Sequence, residues 1–257
     1  MMFEDFENIE QNDKGFEFER PNFIERIIDT LEDLLGIPDS GNALSAETYD
    51  YLNGLEQYGD VTVSGQPFET VGVLDYSQGD NSYGAQGCCG LVSSANFLNL
   101  CGIEASEEEM VGFALENGLC YYSPFSPASE NGGTGDPEIE AVIEAHGVPV
   151  TSYEIGAGGS VEDIADAIDE GRAVTIGVNA GYLWNEASFL GDGSANHQIT
   201  VTGAVRDDDG SVVGLVICDS GRGLESDSCR VVSMEELAWC YETVPGSTAI
   251  ISDNAVR

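Results

Sequence analysis

The chain has 257 residues and a formal net charge of −39, from 8 Lys and Arg against 47 Asp and Glu. That balance makes nucleic acid and anionic membranes poor partners, because both would be repelled, and it leaves a basic protein as the charged partner the chain could attract. With 42% hydrophobic and 9% aromatic residues there is enough apolar side chain for a sizeable core, so the acidity reads as a solvated surface rather than as disorder.

The charge is spread along the chain: residues 1–69 hold 3 basic and 17 acidic side chains, which leaves −25 for residues 70–257. The N-terminus, Met-Met-Phe-Glu-Asp-Phe-Glu, lacks the basic start and apolar run of a signal peptide, and no stretch is apolar for long enough to span a bilayer. The expectation is a soluble protein, cytoplasmic or exported by a route without a signal peptide. Seven cysteines, an odd number with no Cys-x-x-Cys pair, and two histidines argue against a zinc site and a full disulfide framework. Nothing in the sequence asks for a cofactor.

Residues 1–20 are charged, with scattered phenylalanines and no period, and read as an arm. From Pro21 a helix is predicted. Proline suits a first turn, Ile24, Ile27, Ile28, Leu31, Leu34 and Leu35 form one stripe, and Gly36 with Pro38 ends it. It either packs on the main domain or covers an active site as a pro-segment. Residues 39–69, rich in Gly, Ser and Asp, read as a linker. The chain then divides into an acidic extension, 1–69, and a domain, 70–257.

In that domain, the stretch 83–102 reads as a loop with Gly84 and Gly87 leading into a helix opened by Cys89-Gly90. Leu91, Ala95 and Leu98 follow at helical spacing, and Gly102 is the stop. Ser106 with Glu109 makes a capping box for the next helix, closed by Gly118. Residues 121–135 form a glycine-rich loop, but no strand leads into it and no Gly-Lys-Ser/Thr follows, so the phosphate-loop pattern is missing. Asp136-Pro137 opens a helix to His146-Gly147, and Ser160 caps another through Ile168. Strands are expected at 173–178, 197–205, 212–218 and 248–252, with a turn at Asp207-Asp-Asp-Gly210. One more helix, capped by Ser233 and Glu236, contains Trp239. Helices first and a mostly antiparallel sheet after them predict an α+β domain.

A cysteine at a helix N-terminus meets unpaired N–H groups and the positive end of the helix dipole. Both favour the thiolate, although cysteines there also serve as small buried hydrophobes. A thiol nucleophile further needs a base, and a group that orients the base. His146 suits the C-terminus of its own helix. His197 instead opens a strand after a loop, 181–196, that holds Trp184 and Phe189 as a cleft wall would. Asp219 ends the strand that follows. If the two strands pair, it comes toward His197 Nδ1, although Asp-Ser-Gly is also a common turn.

Cys89-Gly-Leu-Val-Ser-Ser-Ala-Asn-Phe-Leu, His197-Gln-Ile-Thr-Val-Thr-Gly203 and Val216-Ile-Cys-Asp-Ser-Gly221 together resemble the papain-like cysteine peptidases that trim double-glycine leaders from bacteriocins. The resemblance covers about residues 70–253. Leu91 and Ser220 stand where the family has proline, and Cys88 where relatives often have a polar residue. It implies a papain-like fold, a helical half followed by a sheet half. In it Cys89 attacks a carbonyl, His197 is general base and then acid, and Asp219 holds the imidazole tautomer.

Cys88 is the rival nucleophile; Gly90, directly after Cys89, favours Cys89 by permitting close substrate approach. The oxyanion would be met by the Cys89 N–H and by a glutamine upstream, Gln78 or Gln86. Gln86, three residues away, has little room to fold back, so Gln78 on its glycine-containing loop is the expected donor. The implied function is hydrolysis of a peptide or isopeptide bond in a protein or peptide substrate, in housekeeping processing or as a secreted effector or toxin. With no exporter or ATPase segment in the sequence, a transporter-linked leader peptidase is not the expectation. The alternative is a catalytically silent relative that binds a peptide or protein.

Overall fold

A computed structural model describes residues 61–256; the helix expected from Pro21, the arm before it and the linker up to residue 60 lie outside the described residues. The end of the expected linker is ordered. Thr62–Gly65 forms strand β1, and Pro67–Thr70 forms a short helix, α1, with proline in its first turn.

Three helices follow: α2 (Cys89–Leu100), α3 (Glu107–Asn117) and α4 (Asp136–Ala145). Local chemistry sets their ends. Ser106 and Glu109 cap each other's backbone, Gly118 closes α3 at φ 68°, and Glu138 reaches back to the Gly135 N–H at the start of α4. α2 is buried almost all round, including Ser93, Ser94 and Asn96. Each of these finds a partner, as buried polar groups must. Ser94 donates to the Gly90 carbonyl, Ser93 to the Gln198 carbonyl, and Asn96 clamps both the N–H and the C=O of Asp75.

The remaining strands are β2 (Val150–Glu154), β3 (Val174–Val178), β4 (His197–Arg206), β5 (Val212–Cys218), β6 (Arg230–Ser233) and β7 (Thr248–Ser252). With β1 they form a seven-stranded sheet of order β2-β7-β3-β4-β5-β6, antiparallel at every pairing. β4 organises it. β5 runs along one edge, while the other edge takes β3 over 197–201 and β1 over 203–206. Between the strands lie α5 (Val161–Asp169), α6 (Ala180–Leu183) and α7 (Met234–Leu237).

Both faces of the sheet are covered. Ile250 and Ala173 pack with Leu91, Phe97, Val111 and Ile143 of the first three long helices, while Ala249, Ile251, Val174 and Ile176 pack with Ile164, Ile168 and Leu237. The alternation along β7 is the two-residue period of a strand with cores on both sides. The fold class is α+β, as expected, but the order differs from helices followed by sheet. β1 precedes the helices, α5 to α7 interleave with the strands, and β2 and β6 go unforeseen because they are short and half exposed. Trp239 lies in the π-helical turn Ala238–Glu242 just beyond α7, and it is exposed. Among the described residues no helix is long and apolar enough to cross a membrane.

Candidate active site

The Ser93 hydroxyl bond to the Gln198 carbonyl docks α2 directly on β4. It brings the first turn of the helix, with Cys89, beside the first residues of the strand, with His197. On the neighbouring strand Thr200 faces Cys218 and Val201 faces Ile217. Continued by two residues, that register puts His197 and Asp219 on one face as a diagonal pair. They meet: His197 Nε2 lies 2.6 Å from Asp219 Oδ1, with both side chains buried. The expectation that Asp219 would approach Nδ1 is corrected. Cys89 is the ring's other polar neighbour, close enough for each to shift the other's ionisation, and with Nε2 taken by the carboxylate, Nδ1 is the nitrogen left for the thiol.

Asp219 is completely buried and held by three donors: His197 and the Gly221 N–H (2.8 Å) on Oδ1, and Trp184 Nε1 (2.7 Å) on Oδ2. Burial by itself would raise this carboxyl. The charge and hydrogen bond of His197, with the bonds from Trp184 and Gly221, outweigh it and hold the group down to about 2. For His197 burial favours the neutral ring, yet the Asp219 charge and hydrogen bond, with Cys89 adding, raise it to about 10. Burial also opposes a Cys89 thiolate. The His197 hydrogen bond and charge, then the N–H groups of Gln198 and Gly90, bring the thiol below its ordinary value. The three groups therefore favour a thiolate–imidazolium pair backed by a carboxylate.

Trp184, expected as part of a cleft wall, is the cover of this pair. Its ring is 5.1 Å from that of His197, packs edge-on against Phe189 at 4.9 Å, and has the Arg222 guanidinium 5.9 Å from its centre. Arg222 in turn makes a two-pronged pair with the buried Asp227, whose carbonyl accepts the Asp219 N–H. Arg222 and Asp227 carry no sequence signal of their own, since they lie five positions apart across a loop and the start of the 3-10 turn Glu225–Cys229, where side chains follow no sustained period.

Cys88 differs from its neighbour in every respect. It is buried, donates to the Ala85 carbonyl and to Glu107, and is pushed well up by burial and by that carboxyl. The glycine after Cys89 serves packing within the protein: a Cβ at Gly90 would fall 2.1 Å from Thr134 Oγ1 and 2.9 Å from Ile139 Cδ1. This corrects the reading of Gly90 as room for substrate. The glycine-rich loop beside it braces the site from below, with Gly132 against the Cys88 Cβ and the Asn131 carbonyl accepting the Gly87 N–H. His146 is structural, bonded to the Val142 carbonyl and edge-on to Phe113.

Gln78 lies at the end of β5, its N–H on the Ser220 carbonyl and its Oε1 accepting from the Ser220 hydroxyl. Its Nε2 donates to the Gln86 main-chain carbonyl at 2.7 Å, whereas the Gln86 side chain is exposed. An amide nitrogen has two hydrogens, so one remains to be directed elsewhere. All seven cysteines are free, and no group of three His, Cys, Asp or Glu side chains among the described residues is placed to hold a metal ion.

No family model and no curated protein matches the chain. Among solved structures it is similar to the crystal structure of a double glycine motif protease from an AMS/PCAT transporter in complex with the leader peptide. The identity is 16% and the TM-score 0.39, over 65% of this chain and 84% of that one.

Proposed function

We propose that the protein is a cysteine peptidase of papain-like architecture that cleaves a peptide or isopeptide bond with Cys89 as nucleophile, His197 as acid and base, and Asp219 as the group that orients His197. One observation carries the reading. A half-buried thiol opening a helix stands beside, and is lowered by, a buried histidine held on its Nε2 side by a buried, three-fold-bonded carboxylate. A structural cysteine has no use for such an arrangement, and its ordinary ionisation would be raised by burial, as at Cys88, Cys218 and Cys229.

In this reaction the Cys89 thiolate attacks the carbonyl carbon, and the negative charge moves to the oxygen. There the first N–H groups of α2 and the free Nε2 hydrogen of Gln78 receive it. The imidazolium of His197 gives its proton to the leaving amine, which leaves a thioester on Cys89. A water that loses its proton to His197 then hydrolyses the thioester. Asp219 stays ionised throughout and keeps the ring in one tautomer.

The test is site-resolved labelling with iodoacetamide at neutral pH. Cys89 should be modified far faster than the other six cysteines, and His197→Ala should abolish that preference. Uniformly slow labelling of Cys89 would refute the catalytic role and leave a peptide-binding protein. An N-terminal cleavage profile on a denatured proteome then identifies the scissile bond.

A further inference from the structure

We propose that Glu107, the first residue of α3, is a positioning residue that sets the Gln78 amide relative to Cys89; this rests on the peptidase reading above. Glu107 is only 5% exposed, an unusual place for a carboxyl group, which is seldom buried without a specific partner. Helix capping does not account for it, because Ser106 and Glu109 cap α3 and the neighbouring Glu108 turns outward to Ser82. Instead its Oε1 accepts from the Gly79 N–H at 2.8 Å, from Asn81 Nδ2 at 2.5 Å and from the Cys88 thiol at 3.2 Å.

Two of these donors flank the chemistry in the chain. Gly79 directly follows Gln78, and Cys88 directly precedes Cys89. The nine residue steps from Gly79 to Cys88 could extend to about 30 Å, so connectivity alone does not hold Gln78 near the nucleophile. One buried carboxyl oxygen bonded at both ends does. The nearest other carboxyl, Asp75, sits on the same loop; burial pushes it up, with Glu107 adding to that effect. Glu107 thus ties the loop that carries the oxyanion donor to the residue before the attacking thiol, without touching substrate.

Two reagents separate this role from a merely structural one. Acylation of Cys89 by p-nitrophenyl acetate passes through an oxyanion, whereas alkylation by iodoacetamide does not. Glu107→Gln keeps the size and one acceptor oxygen but weakens the tie. It should slow acylation by about tenfold, short of the ~10²–10³ that loss of a whole oxyanion donor costs. The alkylation rate and its pH profile should stay within about twofold of wild type, because the Cys89–His197 pair is untouched. In a Gln78→Ala background, Glu107→Gln should slow acylation no further, since the two residues act through one contact. Asn81→Ala, which removes one donor from the same tie, should act in the same direction and carries the test if Glu107→Gln does not fold. Multiplying effects in the double variant, or alkylation falling in step with acylation, would overturn the proposal. A wild-type protein in which neither reagent prefers Cys89 would overturn the peptidase reading itself.

Discussion

Replacing Gly221 by alanine probes whether packing around Asp219 sets the imidazole. The glycine is not in the left-handed region, so alanine meets no backbone strain there and any effect comes from collision. A Cβ at 221 would lie 2.3 Å from Trp184 Cζ2, 2.6 Å from Cη2 and 3.0 Å from His197 Cε1. The indole cannot slide away freely, being packed between Phe189 and Arg222. Overpacking of this kind costs about 1–3 kcal/mol. For a domain of this size that lowers the melting temperature by about 2–12 °C, at ~2–4 °C per kcal/mol.

Displacing the ring also loosens the 2.7 Å bond from Trp184 to Asp219, and a hydrogen bond to a buried charge contributes about 1.5–3 kcal/mol. Asp219 stays ionised, but the methyl group also presses on His197 Cε1 and pushes the imidazole off the carboxylate, so the imidazolium is supported less. His197 should then titrate at lower pH and the Cys89 thiol at higher pH. The rise of iodoacetamide alkylation should therefore move to higher pH and the alkaline fall of hydrolysis to lower pH, and calorimetry should show the loss of stability. In a Trp184→Ala background the methyl group has room, and Gly221→Ala should add little. An unchanged profile and melting temperature in the single variant would refute the argument that Trp184 and Gly221 hold the pair.

Cys89→Ala should abolish hydrolysis and selective labelling while leaving the melting temperature near wild type, and Cys88→Ala should keep selective labelling and retain hydrolysis at a rate lowered by no more than about tenfold, because it removes one end of the Glu107 tie; peptide turnover and mass-spectrometric labelling decide between them, and the reverse pattern would hand the role to Cys88. In the wild type, alkylation of Cys89 should reach its plateau at lower pH than alkylation of an ordinary thiol, because the thiol lies below its ordinary value, and hydrolysis should fall as the pH rises toward about 10 and His197 loses its proton. Asp219→Asn should lower the hydrolytic rate by about 10⁴, by analogy with the loss of the orienting carboxylate in a serine triad, and should bring that alkaline limb to lower pH; a wild-type profile would remove Asp219 from the mechanism. Finally, with a net charge of −39, self-repulsion should be relieved by counter-ions, so the melting temperature should rise between low and high salt. A flat response would mean the repulsion is already compensated.

The sequence by itself determined what local chemistry can decide. Capping residues and glycines placed α2, α3, α4 and α5 close to their observed ends, because Ser106, Ser160 and Gly118 act on backbone groups within a few residues of themselves. The strands buried on both faces were legible as apolar runs, and Cys89, His197 and Asp219 stood out as reactive types at element ends. The tertiary structure alone decided which groups touch. β1, β2 and β6 are strands only because a neighbouring strand supplies their hydrogen bonds. The ring nitrogen that faces Asp219 depends on where α2 sits against β4, and Trp184 meets Asp219, Gly90 meets Ile139, and Glu107 meets Cys88 and Gly79 across 35, 49, 19 and 28 positions. Such contacts obey no period, since nothing local distinguishes a buried carboxyl that ties a loop from one more acid on a surface that carries dozens.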